Sequence, residues 1–175
     1  WFSRQGCAEK LPIREDGLFG QAELTSCGLN GGPLAGEGYY PSCIACHLFT
    51  DRPVIYVGDS DKPEYVNGSF PKIVKEGWDG DQNEGYITNM YDQCTAGFRY
   101  FDLSHVSEIT LTIRGYAYGS MEIRTSFEGS AVKTIPLHYS NIWRDIKTEI
   151  KLPEGADSLY FTYRGPGSAS FKGFT

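Results

Sequence analysis

The sequence predicts an all-β protein built as an antiparallel sandwich. Three observations predict it. Apolar and polar residues alternate with a period of two in one segment after another, the signature of strands with one buried face. Glycine and proline clusters separate those segments at short, regular spacing, as hairpin and sandwich turns require. No window carries the period of a long amphipathic helix.

The elements follow in order. Residues 1–19 read as a lead-in or linker, broken by Pro12 and by Arg14-Glu15-Asp16-Gly17. Gln21 to Ser26 is the first candidate strand, and Gly28 to Pro33 is a loop by composition. Tyr39 to Thr50 becomes β-favouring in its second half, and Pro53 to Val57 is a short candidate strand. Residues 58–84 are polar and interrupted by Pro63, Pro71, Gly68, Gly77 and Gly80. The pattern sharpens from residue 85. Ile109, Leu111 and Ile113 alternate with Glu108, Thr110, Thr112 and Arg114. Met121 and Ile123 repeat the pattern, as do Ile146, Thr148, Ile150 and Leu152, and then Leu159, Phe161 and Tyr163. Turns are expected at Tyr118-Gly119-Ser120, Glu128-Gly129-Ser130, Pro153-Glu154-Gly155 and Gly165-Pro166-Gly167. Residues 20–175 are therefore one domain, with an expanded loop region at about 35–84.

Composition narrows the function. The 175 residues carry 16 Lys and Arg against 22 Asp and Glu, a net charge of −6. Binding to phosphate backbones rests on clustered basic residues, so nucleic acid and anionic membrane surfaces are not expected partners. No run approaches the roughly 20 apolar residues of a spanning helix. Aromatic residues at 14% exclude disorder. A chain this long buries roughly 70% of its unfolded surface without help from disulfides or metals. Five cysteines, an odd number, read as mostly reduced thiols. The first residues, Trp1 to Gly6, do not form a secretion signal, and the compartment stays open.

Few motifs carry chemistry. Cys43-Ile44-Ala45-Cys46-His47 has the spacing of a covalent haem site, but the β-type residues that follow favour buried thiols in a strand. His47, His105 and His138 are scattered, and neither a nucleophile elbow nor a zinc-hydrolase motif occurs. No catalytic residue is assigned. Asp79 to Glu84 is an oxygen-rich loop without EF-hand spacing, read first as a solvated loop. Tyr86 follows that loop and opens a strand. Trp143 follows the turn-like Ser140-Asn141 and is out of phase with the inward set from Ile146 to Leu152. Loop-borne aromatics outside the core can stack on the apolar face of a sugar ring, whose hydroxyls seek amide and carboxylate partners.

Several stretches together resemble a family 6 carbohydrate-binding module. They are Gly85-Tyr86-Ile87 through Phe101, Asn141-Ile142-Trp143-Arg144-Asp145-Ile146, Leu159 to Gly165, and Phe171-Lys172-Gly173-Phe174. Gln21-Ala22-Glu23 is similar to that family's opening acidic strand. Thr25 to Leu34 resembles the stretch after the catalytic propeller in some family 43 glycoside hydrolases, β-xylosidases and α-arabinofuranosidases. The resemblance covers residues 85–175 and the first strand. It implies a jelly-roll sandwich that binds plant cell-wall polysaccharide, xylan, arabinoxylan or a related β-glycan, and targets an attached glycoside hydrolase. The family's two clamping aromatics carry over to Tyr86 and Trp143. Glu84, Asn89 and Arg144 are the expected hydrogen-bonding residues. The family's asparagine falls within Gly167 to Ser170, where no Asn stands. The family's structural calcium would draw on Glu23 and on an aspartate that is Lys172 here. Either calcium is present, or the Lys172 ammonium replaces it and pairs with Glu23. Two rival readings remain. One is an accessory domain that packs on a hydrolase without binding glycan. The other is a jelly-roll lyase or esterase, which requires clustered acid–base residues in one groove.

Overall fold

The computed structural model describes residues 7–51, 70–75 and 85–175. Among them the chain forms β1 (Tyr40–Pro41), β2 (His47–Phe49), β3 (Lys72–Lys75), β4 (Gly85–Met90) and β5 (Thr95–Arg99). It continues through β6 (Glu108–Gly115), β7 (Ser120–Arg124), β8 (Lys133–Pro136), β9 (Ser140–Glu149), β10 (Ser158–Arg164) and β11 (Ala169–Phe174). The candidate strand at 53–57 and the loop at 79–84 lie outside the described residues.

The strands build two antiparallel sheets. The larger runs β3-β4-β11-β6-β9, with β1 beside β11, and the smaller runs β2-β5-β10-β7-β8. From β4 to β7, and again from β8 to β11, successive strands alternate between the sheets. Each hairpin-like connection therefore crosses the sandwich, the strand-swapping route by which a jelly roll closes over one core. The two most apolar strands, β10 and β11, are central in their sheets and are paired on both edges.

Alternation decides what enters the core. Ile109, Leu111 and Ile113 from β6, Met121 and Ile123 from β7, and Leu159, Phe161 and Tyr163 from β10 all point inward and are buried. Phe98, Phe161, Phe171 and Phe174 form a ring cluster, with Phe98 and Phe174 centroids 4.9 Å apart. One buried hydroxyl ties the early segment to the larger sheet. Ser42 Oγ donates to the Phe171 carbonyl at 2.5 Å and accepts from the Ile87 amide at 2.9 Å.

Three expectations change. Gln21 to Ser26 is irregular rather than a strand: the Ser26 amide bonds to the Arg99 carbonyl, but no ladder follows. The region 35–84 is not only loop, because β2 extends the smaller sheet and β3 the larger. The outer face of β10 is not solvated. Tyr160 is covered by His47 and Phe127, and Thr162 Oγ1 lies 2.8 Å from Thr95 Oγ1. Within the lead-in, Ile13 and Phe19 bridge a small hairpin whose apolar side chains, Leu18 included, are exposed.

Candidate functional site

Tyr86 lies on β4 and Trp143 on β9, so both rings are strand-borne and not loop-borne. Trp143 is out of phase with the inward Ile146, as its position suggested, and projects from the outer face of the larger sheet. β11 and β6 separate the two parent strands. At about 4.8 Å per strand spacing their backbones stand roughly 14 Å apart. Their ring centroids nevertheless lie 5.2 Å apart, edge to face at 80°. Both side chains therefore arch over the sheet, above the small Ser170. Thr88 Oγ1 and Ser170 Oγ are 3.0 Å apart beneath them.

Arg114 completes the group. Its guanidinium carbon is 4.2 Å from the Trp143 ring and 5.2 Å from the Tyr86 ring, and Nη2 donates to Tyr86 Oη at 3.1 Å. A delocalised cation on aromatic faces stabilises both rings in place. A sugar sandwiched between two rings needs about 3.5–4 Å on each side, hence roughly 7–8 Å between them. The observed separation leaves no such slot, so the two rings do not bracket an open cleft. Trp143 Nε1 is buried without a hydrogen-bond partner among the described residues.

The open space lies beside Trp143. Tyr39, Thr110, Thr112, Asp145, Lys172 and Thr175 line a depression of about 440 Å³ together with the indole. Thr112 Oγ1 donates to Asp145 Oδ1 at 2.6 Å. Lys172 Nζ stands 5.7 Å from the Trp143 ring. Tyr39 reaches across β11 and donates from Oη to the Lys172 carbonyl at 3.3 Å. Glycine at 173 makes that approach feasible: a Cβ there would stand 2.7 Å from the Tyr39 ring and 2.5 Å from the Tyr40 carbonyl. The depression thus presents an aromatic wall, hydroxyls, a carboxylate and an ammonium, a donor set suited to a neutral polyhydroxylated ligand.

The other expected residues fall elsewhere. Glu84 lies outside the described residues. Asn89 occupies a β-bulge of β4 at φ 60°, where the pairing with β11 shifts. Arg144 follows Trp143 directly, and neighbours on a strand point to opposite faces, so it does not serve the Trp143 side. Arg114, Tyr39, Thr112, Asp145 and Lys172 are the residues that stand around Trp143 instead. The alternation around Arg114 placed it outward; nothing in the sequence placed it against Trp143.

The cation expectation also changes. Glu23 Oε2 pairs with Arg99 at 3.3 Å, and Lys172 stands over the indole, so the expected Glu23–Lys172 pair does not form. Glu23 precedes the larger sheet's strands and meets β5 of the other sheet, which keeps the two apart. No group of three or more His, Cys, Asp or Glu converges among the described residues.

The Cys-x-x-Cys-His stretch is structural. Cys43 lies in the 3-10 turn Ser42–Ile44, Cys46 Sγ contacts the Gly97 carbonyl, and none of the five cysteines forms a disulfide. His47 on β2 packs against Phe127 at 4.8 Å, and burial pushes its pKa below the usual 6.5. The unfolded chain therefore takes up this proton first as pH falls, and stability drops from about 6.5 downward. We expect His47→Phe to lessen the fall in melting temperature between about pH 7 and about pH 5. Identical pH profiles for parent and variant would remove His47 as the cause.

No family model matches the chain. A family 6 carbohydrate-binding module from Clostridium stercorarium, in complex with cellobiose, superposes with a TM-score of 0.62 at 11% identity, over 83% of this chain and 96% of that one. A β-1,3-glucan-binding family 6 module from Bacillus halodurans gives 0.60 at 13% identity, over 82% and 98%. The chain has the fold of the family 6 carbohydrate-binding modules. That fold also occurs within a larger enzyme. A family 43 arabinoxylan arabinofuranohydrolase from Bacillus subtilis matches with a TM-score of 0.59 at 15% identity, over 95% of this chain and 32% of the enzyme. In sequence, a xylosidase/arabinosidase from Thermoclostridium stercorarium is 48% identical over 174 residues. The match takes in 99% of this chain and 36% of that protein, so the chain spans about a third of its relative's length.

Proposed function

We propose that this chain is a non-catalytic module that binds plant cell-wall polysaccharide of the xylan or arabinoxylan type and holds an attached glycoside hydrolase at it. The observation that carries the proposal is the depression on the larger sheet, where Trp143 stands beside Thr112, Asp145 and Lys172. The indole offers an apolar wall to the C–H face of a pyranose, and the polar floor offers partners for its hydroxyls. Tyr86 and Arg114 hold the indole in position from the side. The close relation to part of a xylosidase/arabinosidase supports the xylan assignment over other glycans. A shallow site with one principal aromatic predicts affinity on the order of 10 μM to 1 mM.

Affinity electrophoresis tests this. The chain is expected to be retarded in gels containing xylan or arabinoxylan, and less so in gels containing β-1,3-glucan or hydroxyethylcellulose. Migration equal to that of a non-binding reference protein in every gel would end the proposal.

A second reading is favoured by one observation. Leu11, Ile13, Leu18 and Phe19 are exposed on and beside the lead-in hairpin, away from the sandwich core. Large exposed apolar patches mark interaction sites, and this one suits packing against an attached domain.

A further inference from the structure

The depression beside Trp143 holds a positive charge that hydroxyl groups leave unmatched. Lys172 lies on β11, a central strand, between the buried Phe171 and Gly173. Its carbonyl accepts from Tyr39 Oη at 3.3 Å, which fixes the backbone under the side chain. Nζ stands 5.7 Å from the centre of the Trp143 ring, and no carboxylate among the described residues comes within ion-pair distance of it. Lys147, on the same face, differs: its Nζ meets Glu108 Oε1 at 2.6 Å. Asp145, the carboxylate that shares the depression, takes the Thr112 hydroxyl on Oδ1 instead. The outward row that crosses the sheet beside the indole adds further cations. Lys72 faces Thr88, Thr88 meets Ser170, and Ser170 faces Arg114. A chain of net charge −6 thus sets Lys72, Arg114 and Lys172 around its exposed tryptophan, against Asp145 among the described residues.

A sugar hydroxyl can hydrogen-bond to an ammonium but cannot neutralise it, whereas a carboxylate does both. A sugar stacked on the indole stands about 3.5–4 Å from its plane, so a group on that sugar's edge comes within reach of Nζ. Building on the saccharide reading above, we infer that Lys172 selects a xylan whose neutral chain carries hexuronic acid side groups. A backbone sugar stacks on Trp143, the Thr112–Asp145 pair serves its hydroxyls, and the side group's carboxylate meets the Lys172 ammonium. Lys172 is then a specificity-determining residue of this site. A polyuronide offers the same carboxylate on every ring of its main chain. It would also press anions against Asp145 and against the acidic remainder of the surface, so isolated acidic side groups fit better.

Isothermal titration tests this on the chain as it stands, with glucuronoxylan, the same polymer after reduction of its carboxyl groups to alcohols, and polygalacturonate. The parent is expected to bind native glucuronoxylan roughly three- to tenfold more tightly than the reduced polymer at low salt. That ratio is expected to fall towards one as sodium chloride rises to about 0.3 M. Lys172→Met is expected to bring the ratio to about one at low salt, and Lys172→Arg to keep it, with thermal melts confirming that both variants fold. Equal affinity of the parent for the native and reduced polymers overturns the inference while leaving the saccharide reading standing. So does a preference that survives Lys172→Met. Tighter binding of polygalacturonate than of glucuronoxylan overturns it too, by moving the carboxylate to the main chain. Absence of binding to all three polymers, with arabinoxylan gels also negative, overturns the saccharide reading and the inference with it.

Discussion

Trp143→Ala is expected to abolish retardation by xylan gels while the protein stays folded. The indole is the larger of the two rings, with Tyr39, that line the depression beside Asp145, Thr112 and Lys172. Truncating a central aromatic of a binding site costs about 2 kcal/mol or more, roughly 30-fold in affinity. Applied to an already weak site, that loss removes measurable binding. The fold should tolerate the change, because Trp143 stands on the outer face of an edge strand and outside the core cluster. Its loss also frees Arg114 from one of its two rings, so part of the effect is loss of order in the guanidinium. Trp143→Phe should recover part of the affinity, since a smaller ring still offers an apolar face. Thermal melts of parent and Trp143→Ala would accompany the gels. A folded variant that is retarded as strongly as the parent would show that the sugar binds elsewhere.

Phe98→Ala is expected to cost about 3–5 kcal/mol of folding stability. Phe98 is 0% exposed and touches Phe161, Phe171 and Phe174, which come from both central strands. It is thus the β5 contribution to the contact between the two sheets. No neighbour can collapse into the space, because the surrounding rings are themselves fixed by paired strands. A domain with 5–15 kcal/mol in total would be left marginal. Urea denaturation gives the number directly: a midpoint shift at constant slope, equivalent to less than about 1 kcal/mol, would contradict this account of the core.

The strands from residue 108 onward were legible because each has one face in the core. Period-two alternation then writes the inward set into the sequence, as with Ile109, Leu111 and Ile113. The short edge strands were not legible. β1, β2 and β3 hold two to four residues each, too few for any period to register. Gln21 to Ser26 misled for a different reason: its residue types suit a strand, yet only Ser26 reaches a sheet, through its bonds to Arg99 of β5. The candidate site was legible only in part. Phase put Trp143 and Arg114 on the outer side of their strands. It could not show that Tyr86 would arch across two intervening strands to meet the indole and fill the gap between them.

The chain's own pattern determined the two-sheet antiparallel architecture, the inward residues of β6, β7 and β10, and the outward aspect of Trp143. These depend on local alternation and on turn residues, which neighbours along the chain decide. Tertiary structure alone decided which outward residues meet. Strand order sets β6 beside β9, Gly173 lets Tyr39 cross β11, and Arg114 reaches two rings from strands far apart in the chain. Alternation specifies a face but not the order of strands on it, and a site made across four strands exists only once that order is fixed.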